Sequence, residues 1–294
     1  MQHKRKSVMI CTTVLILSCH IISRETFRHS QALHHSVNYS HVQLLNTNPD
    51  CFVSTSGPNV SSSKHLKPAL LHYCGGKSYA GIAEFSLENS KEYAKRHELD
   101  VLVANSDTFP TESFFTPKAW VKLAFMLQIL EMKQYSWLLW LDCDVLITSL
   151  HLPVEPLLDS LNVSHDHDIV VAKDIGNSPF NTGVLLVRVS DWTVKTVARA
   201  LRYAEDPSVR EHGWWEQKAL HLLYNENKHE EQLKILVVQD RWRLNAFANL
   251  GEERSDSFAW HRVNCRNQSA CDQSFKKKFC HVHNNSQPCY RLDY

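Results

Sequence analysis

From Lys67 onward the apolar positions fall into short continuous runs and helical periods that alternate along the chain. The run Pro68–Tyr73 predicts a buried strand, closed by a Cys74-Gly75-Gly76 turn. Tyr79–Arg96, with Ile82, Phe85, Tyr93 and Ala94, predicts a helix, and Asp100–Ala104 a second strand. Pro117 opens a helix that sets Trp120, Leu123, Ala124, Leu127 and Leu130 at helical spacing. Tyr135–Leu141 predicts a hydrophobic strand running into Asp142. Further strands are expected at 169–172, 184–189 and 233–238, and helices at 192–203 and 214–224. Strands alternating with helices point to an α/β fold with a mainly parallel central sheet. After about Trp260 the periodicity fades into a stretch dense in Cys, Asn and Lys, read as irregular.

The N-terminal fifth reads differently. Lys4, Arg5 and Lys6 precede an uncharged stretch from Ser7 to Ser23. As a helix that stretch reaches about 25 Å, the short end of a membrane span. No small-residue cleavage site follows it, so an uncleaved signal anchor is favoured over a removed signal peptide. The basic cluster ahead of the span keeps the N-terminus cytosolic and puts the rest in the lumen. Residues 24–66 are rich in Ser, His, Asn and Thr and read as a stem. The expected division is a cytosolic tail 1–6, an anchor 7–23, a stem 24–66 and one lumenal domain 67–294. Sequons at Asn38, Asn59, Asn162, Asn267 and Asn284 fit a secretory-pathway chain, where disulfides are the default for exposed cysteines.

Composition narrows the choice of partners. With 294 residues, 43% of them hydrophobic, the chain can bury a core, so wholesale disorder is excluded. A net charge of +1 argues against a dedicated nucleic-acid binder. Anion binding must then come from a bound cation and a few placed residues. The tail cysteines Cys265, Cys271, Cys280 and Cys289, with His281 and His283, lack zinc-type spacing. One or two disulfides are expected there, with Cys51 or Cys74 pairing elsewhere.

The most informative segment is Leu138–Asp144, where a buried strand ends in D-x-D. If strand geometry persists, Asp142 and Asp144 point the same way. Ligand crevices of open α/β sheets lie at the carboxyl ends of strands. Two carboxylates there call for a hard divalent cation, Mn2+ or Mg2+, which also binds phosphate oxygens. The bland alternative is a solvated Asp turn. A phosphatase-like Asp pair fits poorly, because Leu146 stands where Thr or Val is wanted and two β/α units precede the motif.

Seven segments, taken together, resemble glycosyltransferase family 34, retaining galactosyl-, xylosyl- and mannosyltransferase-related enzymes of the Golgi. Asn89–His97 is similar to the family's N-K-x-x-Y-A-x-x-H helix, and Trp120–Lys122 to a W-x-K helix ahead of the metal strand. Tyr135–Asp144 resembles Y-x-W-x-W-W-L-D-x-D, and Asn181–Arg188 with Asp191-Trp192 resembles N-x-G-x-x-L-x-R and its sequel. Trp215-Glu216-Gln217 is similar to a W-E-Q or D-D-Q element, Gln239–Asn245 to Q-R-x-x-N, and Phe258–Cys265 to F-x-x-H-F-x-G-C. The likeness spans about residues 67–275. Arg262 and Asn264 depart from that last motif, and Arg266 stands where many members have Lys.

The resemblance implies a single GT-A nucleotide-sugar domain, Mn2+ (or Mg2+), a UDP-sugar donor with galactose or xylose favoured, and a glycan acceptor. It also implies retention of configuration and a single-pass type II Golgi protein. Its motifs make Asp142, Asp144 and His261 the metal ligands and place Arg266 on the leaving diphosphate. Asn181, Gly183 and Asp174 would line the sugar pocket. Tyr73, Gly75, Ser78 and Tyr79, after the first strand, would hold uracil, and Lys122 would be structural or near the nucleotide. Glu216 and Gln217 would stand at the reaction centre, Gln217 on the β side of the anomeric carbon. A homo-oligomer is allowed. The alternative is a non-catalytic sugar- or nucleotide-binding relative on the same scaffold.

Overall fold

The computed structural model describes residues 43–45, 66–104, 117–226, 229–263 and 268–283. The anchor and most of the stem lie outside these residues, as do Arg266 and all the sequons but Asn162. Among the described residues no helix is long and apolar enough to cross a membrane.

Among the described residues ten strands form two sheets. They are β1 (Gln43–Leu45), β2 (Ala69–His72), β3 (Asp100–Val103), β4 (Trp137–Leu141), β5 (Val145–Ile147), β6 (Ile169–Ala172), β7 (Asn181–Arg188), β8 (Ile235–Val238), β9 (Ala246–Phe247) and β10 (Ala259–His261). The large sheet has the order β1-β3-β2-β4-β7-β6-β8, and β5-β10-β9 make the small one. In the large sheet β2, β3, β4, β6 and β8 share one direction, while β1 and β7 run against them. The sheet is therefore mixed. The cause is the short link from Ala172 to Asn181, which contains no helix. A parallel return needs a crossover of a dozen or more residues, so the chain pairs antiparallel instead.

The helices are α1 (Ala83–Arg96), α2 (Val121–Met132), α3 (Val154–Ser160), α4 (Asp191–Arg202), α5 (Pro207–Arg210), α6 (Trp215–Glu226), α7 (Glu230–Lys234) and α8 (Gln268–Val282). Strands β2, β4 and β6 are buried at every position, as expected where both faces of a sheet are covered. Helix α2 is buried nearly all round, and Lys122 is buried with it. Ser190 caps α4 through a reciprocal capping box with Thr193.

Besides the mixed sheet, three expectations change. The tail is not irregular: α8 occupies Gln268–Val282, and Cys271, Phe275 and Phe279, four residues apart, are buried in it. The stem contributes a strand, because β1 pairs with β3 on the sheet edge. Leu233 and Lys234 belong to α7, so β8 starts at Ile235. Cys74 is bonded to Cys143, the residue between the two aspartates, and Cys271 and Cys280 are also disulfide-bonded.

Candidate active site

Strand β4 ends at Leu141, and the D-x-D does not continue it. Asp142–Asp144 form a tight turn into β5, closed by the Val145 amide donating to the Asp142 carbonyl at 3.0 Å. The two carboxylates converge through this turn rather than through strand alternation. Neighbouring strands stitch the turn in place: the Asp142 amide donates to Gly183 O at 2.8 Å, and the Arg262 amide to Asp144 O at 2.9 Å. The register of β10 against β5 sets His261 opposite Val145. One ligand atom each from Asp142, Asp144 and His261 then lies within 4.8 Å of the others.

The donor set suits a divalent cation. It offers two carboxylates and one imidazole, a combination compatible with Mn2+. His261 is buried, its Nε2 lies 3.4 Å from Asp144 Oδ1, and its Nδ1 has no hydrogen-bond partner. Asp142 Oδ1 already receives Lys122 Nζ at 2.8 Å and the Trp140 indole N–H at 2.8 Å. Its Oδ2 is the oxygen left for a metal. Gly183 packs against the His261 ring, and a Cβ there would stand 2.6 Å from Nδ1.

The turn lies on the floor of a cleft of about 580 Å³ that also contains Tyr73, Gly75, Ser78, Tyr79, Asp174 and Asn181. Lys122, Glu216 and Gln217 line it from the side of α2 and α6. The structure thus brings together every predicted site residue it describes, with Gly183 just behind His261.

A model of the galactosyl transferase GMA12/MNN10 family matches residues 72–164, which run from the last residue of β2 through α1 and the D-x-D turn to α3. This is the family that the sequence motifs resemble. The protein is a glycosyltransferase. A solved glycosyltransferase involved in the glycosylation of the major capsid of PBCV-1 is similar with a TM-score of 0.58 and 18% identity, over 71% of this chain and 99% of that one. The glycosyltransferase GlyE of Streptococcus pneumoniae TIGR4 is similar with a TM-score of 0.43 and 13% identity, over 75% of this chain and 63% of that one. A comparison with curated proteins gives no significant match. The first structural likeness shows the transferase's fold, α/β with a mixed sheet.

Electrostatics inside the transferase's cleft turn on Lys122. Its ammonium lies between Asp142 Oδ1 and Glu216 Oε1, at 2.8 and 2.7 Å, and donates to Thr182 O at 3.0 Å. Burial alone would depress it, but the two carboxylates outweigh burial and push it up to about 12. Burial works against ionised Asp142, yet Lys122 and then His261 hold its carboxyl below the usual range. Glu216 is raised, first by burial and also by the Asp142 charge, in spite of Lys122. The Tyr79 phenol is raised, chiefly by the nearby Asp144 charge and then by burial.

Gln217 is a bridge. Its Oε1 accepts the Thr182 amide at 2.9 Å and its Nε2 donates to Asp174 Oδ2 at 3.1 Å. Ser178 also donates to Asp174 Oδ2, at 2.9 Å. Asn181 turns its oxygen inward, accepting from Gly183 N at 2.8 Å and Asn245 Nδ2 at 2.9 Å, so its amide is the end left for a ligand. The Tyr73 ring lies over Gly75, where a Cβ would stand 2.6 Å from Tyr73 Cε1.

Sequence reasoning missed Thr182, Asn245, Trp214 and Trp215. Asn245 closes the Q-R-x-x-N segment, which was a usable signal. Trp215 adopts φ +40°, a left-handed conformation that costs a bulky residue about 1–3 kcal/mol and recurs at ligand clamps. Asn162 is exposed in a turn after α3, with φ +58°.

Proposed function

We propose that the protein is a retaining glycosyltransferase that moves a hexose or pentose, galactose or xylose favoured, from a UDP-sugar to a glycan acceptor. The observation that carries the reading is the convergence of Asp142 and Asp144, which lie in the family-matched segment, with His261 from β10 in one cleft. A divalent cation bound by these three residues would neutralise charge developing on the departing diphosphate. Trp140 and Lys122 fix Asp142 in one orientation for that task. Tyr73, Gly75, Ser78 and Tyr79 would receive the uracil, with the ring of Tyr73 as a stacking surface. Asn181, Asp174 and Gln217 would meet sugar hydroxyls, and Arg266 the diphosphate.

Retention could follow front-face attack or a double displacement through Glu216. Glu216 is buried, ion-paired to Lys122 and 3.3 Å from the Thr182 hydroxyl. A carboxylate held this way is poorly placed to move as a nucleophile, so front-face attack is favoured, with Glu216 acting through its charge. The order of basic cluster, apolar stretch and stem supports a type II Golgi membrane protein, and exposed Asn162 is a glycosylation acceptor in that setting. The test is hydrolysis and transfer across a panel of UDP-sugars with Mn2+. Turnover of at least one donor, abolished in Asp144→Ala, supports the reading. Undiminished turnover in that variant would overturn the metal assignment.

A further inference from the structure

The protein has eight tryptophans, and two of them stand apart. Trp120, Trp137, Trp140 and Trp260 are buried, and Trp192 and Trp242 are half-buried. Trp214 and Trp215 are exposed, at 47% and 39%, and adjacent. Ile175 is 41% exposed, and all three line the cleft that contains the carboxylate cluster. Exposed large apolar side chains gathered at a cleft mark a binding surface rather than chance exposure.

The geometry points to a subsite in which Trp214 and Trp215, with Ile175, stack against the apolar face of a pyranose ring of the acceptor oligosaccharide. The inference rests on the glycosyltransferase reading above and names where its acceptor sits. A pyranose ring presents a C–H face and a rim of hydroxyls. Its recognition therefore needs an uncharged aromatic plate beside polar side chains. The structure supplies both. Asp174 and Gln217, hydrogen-bonded at 3.1 Å, flank Ile175 and Trp215 in sequence or through α6.

The plate is held in place. The Trp214 amide donates to His212 Nδ1 at 3.1 Å, and its indole packs between the His212 and His221 rings, at centroid distances of 5.3 and 5.8 Å. His221 is itself fixed by a 2.7 Å contact with Phe180 O. The left-handed Trp215 is locked by its amide donating to His212 O at 2.8 Å. A side chain braced in this way loses little freedom on binding, which favours stacking. The patch carries no charge of its own, so it suits a neutral sugar better than a diphosphate. Trp215 is next in sequence to Glu216, which sets the subsite beside the residues proposed for the reaction centre.

The full-length protein, loaded with Mn2+ and UDP, is titrated with maltose, cellobiose and an α-linked mannobiose while tryptophan fluorescence is followed. UDP binding is measured separately by calorimetry. At least one disaccharide is expected to shift the emission. Its affinity should fall by about tenfold or more in Trp214→Ala and recover in Trp214→Phe, which keeps an aromatic face. No response to any disaccharide, or an unchanged response in Trp214→Ala, would overturn the subsite. So would a parallel loss of UDP affinity, which would put the tryptophans in the donor pocket. Failure of the wild type to bind UDP with Mn2+ would instead overturn the functional reading on which the subsite rests.

Discussion

The Lys122 ammonium bridges Asp142 and Glu216 at 2.8 and 2.7 Å, joining the D-x-D turn to the start of α6 through one buried charge. The buried Glu216 carboxylate and the half-buried Asp142 carboxylate are both met by the cation between them. Lys122→Met should therefore leave buried Glu216 and half-buried Asp142 without their shared cation and destabilise the fold by about 3 kcal/mol, measured by urea unfolding. Adding Glu216→Leu should return part of that loss. If Lys122→Met unfolds at the wild-type midpoint, the bridge has no structural weight.

Gly183 should not tolerate a side chain. A methyl group would collide with Cε1 of His261 and stand 2.6 Å from its Nδ1, so the imidazole must shift. Gly183→Ala is expected to weaken Mn2+ binding by about tenfold or more while the fold survives, read by calorimetry and circular dichroism.

The Cys74–Cys143 bond ties the turn after β2 to the centre of the D-x-D motif, across 69 residues of sequence. Replacing both cysteines by Ser should lower stability by about 2–4 kcal/mol. UDP affinity should fall as well, because the proposed uracil loop and the D-x-D turn lose their link. Unchanged unfolding and unchanged UDP affinity would show that packing alone holds the two loops.

His72 makes stability depend on pH. It is fully buried at the end of β2, and burial, with Lys91 adding to it, lowers its pKa from 6.5 to about 4. A depressed folded value means that the unfolded chain binds the proton first. The contribution is present above pH 6.5 and is lost as pH falls from 6.5 toward 4. Over that window the loss is about 3 kcal/mol. His72→Gln should flatten this part of the stability profile, and an equally steep profile in the variant would contradict the assignment.

Much of this architecture is legible in the chain. The long apolar runs that become β2, β4 and β6 are buried throughout, so their hydrophobicity is the signal itself. Asp142 and Asp144 could be singled out as a candidate metal pair because a short motif keeps its two carboxylates close through a turn as well as through a strand. Other features were hidden for physical reasons. β1 has three residues, too few for a period, and its pairing with β3 depends on the sheet edge. The reversed direction of β7 follows from the length of a connection, which periodicity does not report. Helix α8 did leave a trace in Cys271, Phe275 and Phe279, but Lys and Asn density masked it. Lys122 reads as one polar position on an apolar helix, and only the fold, which brings the D-x-D turn and the start of α6 to its ammonium, reveals its two partners. Trp214 and Trp215 read as core residues by type, and only their exposure sets them apart.

The most direct test of the central claim is the affinity of UDP, by calorimetry, with and without Mn2+ in the wild-type protein and in Asp144→Asn. The account predicts binding that requires Mn2+ in the wild type and is lost in the variant, with the unfolding midpoint little changed. UDP binding that ignores Mn2+, or that survives in Asp144→Asn with its Mn2+ dependence intact, would contradict it.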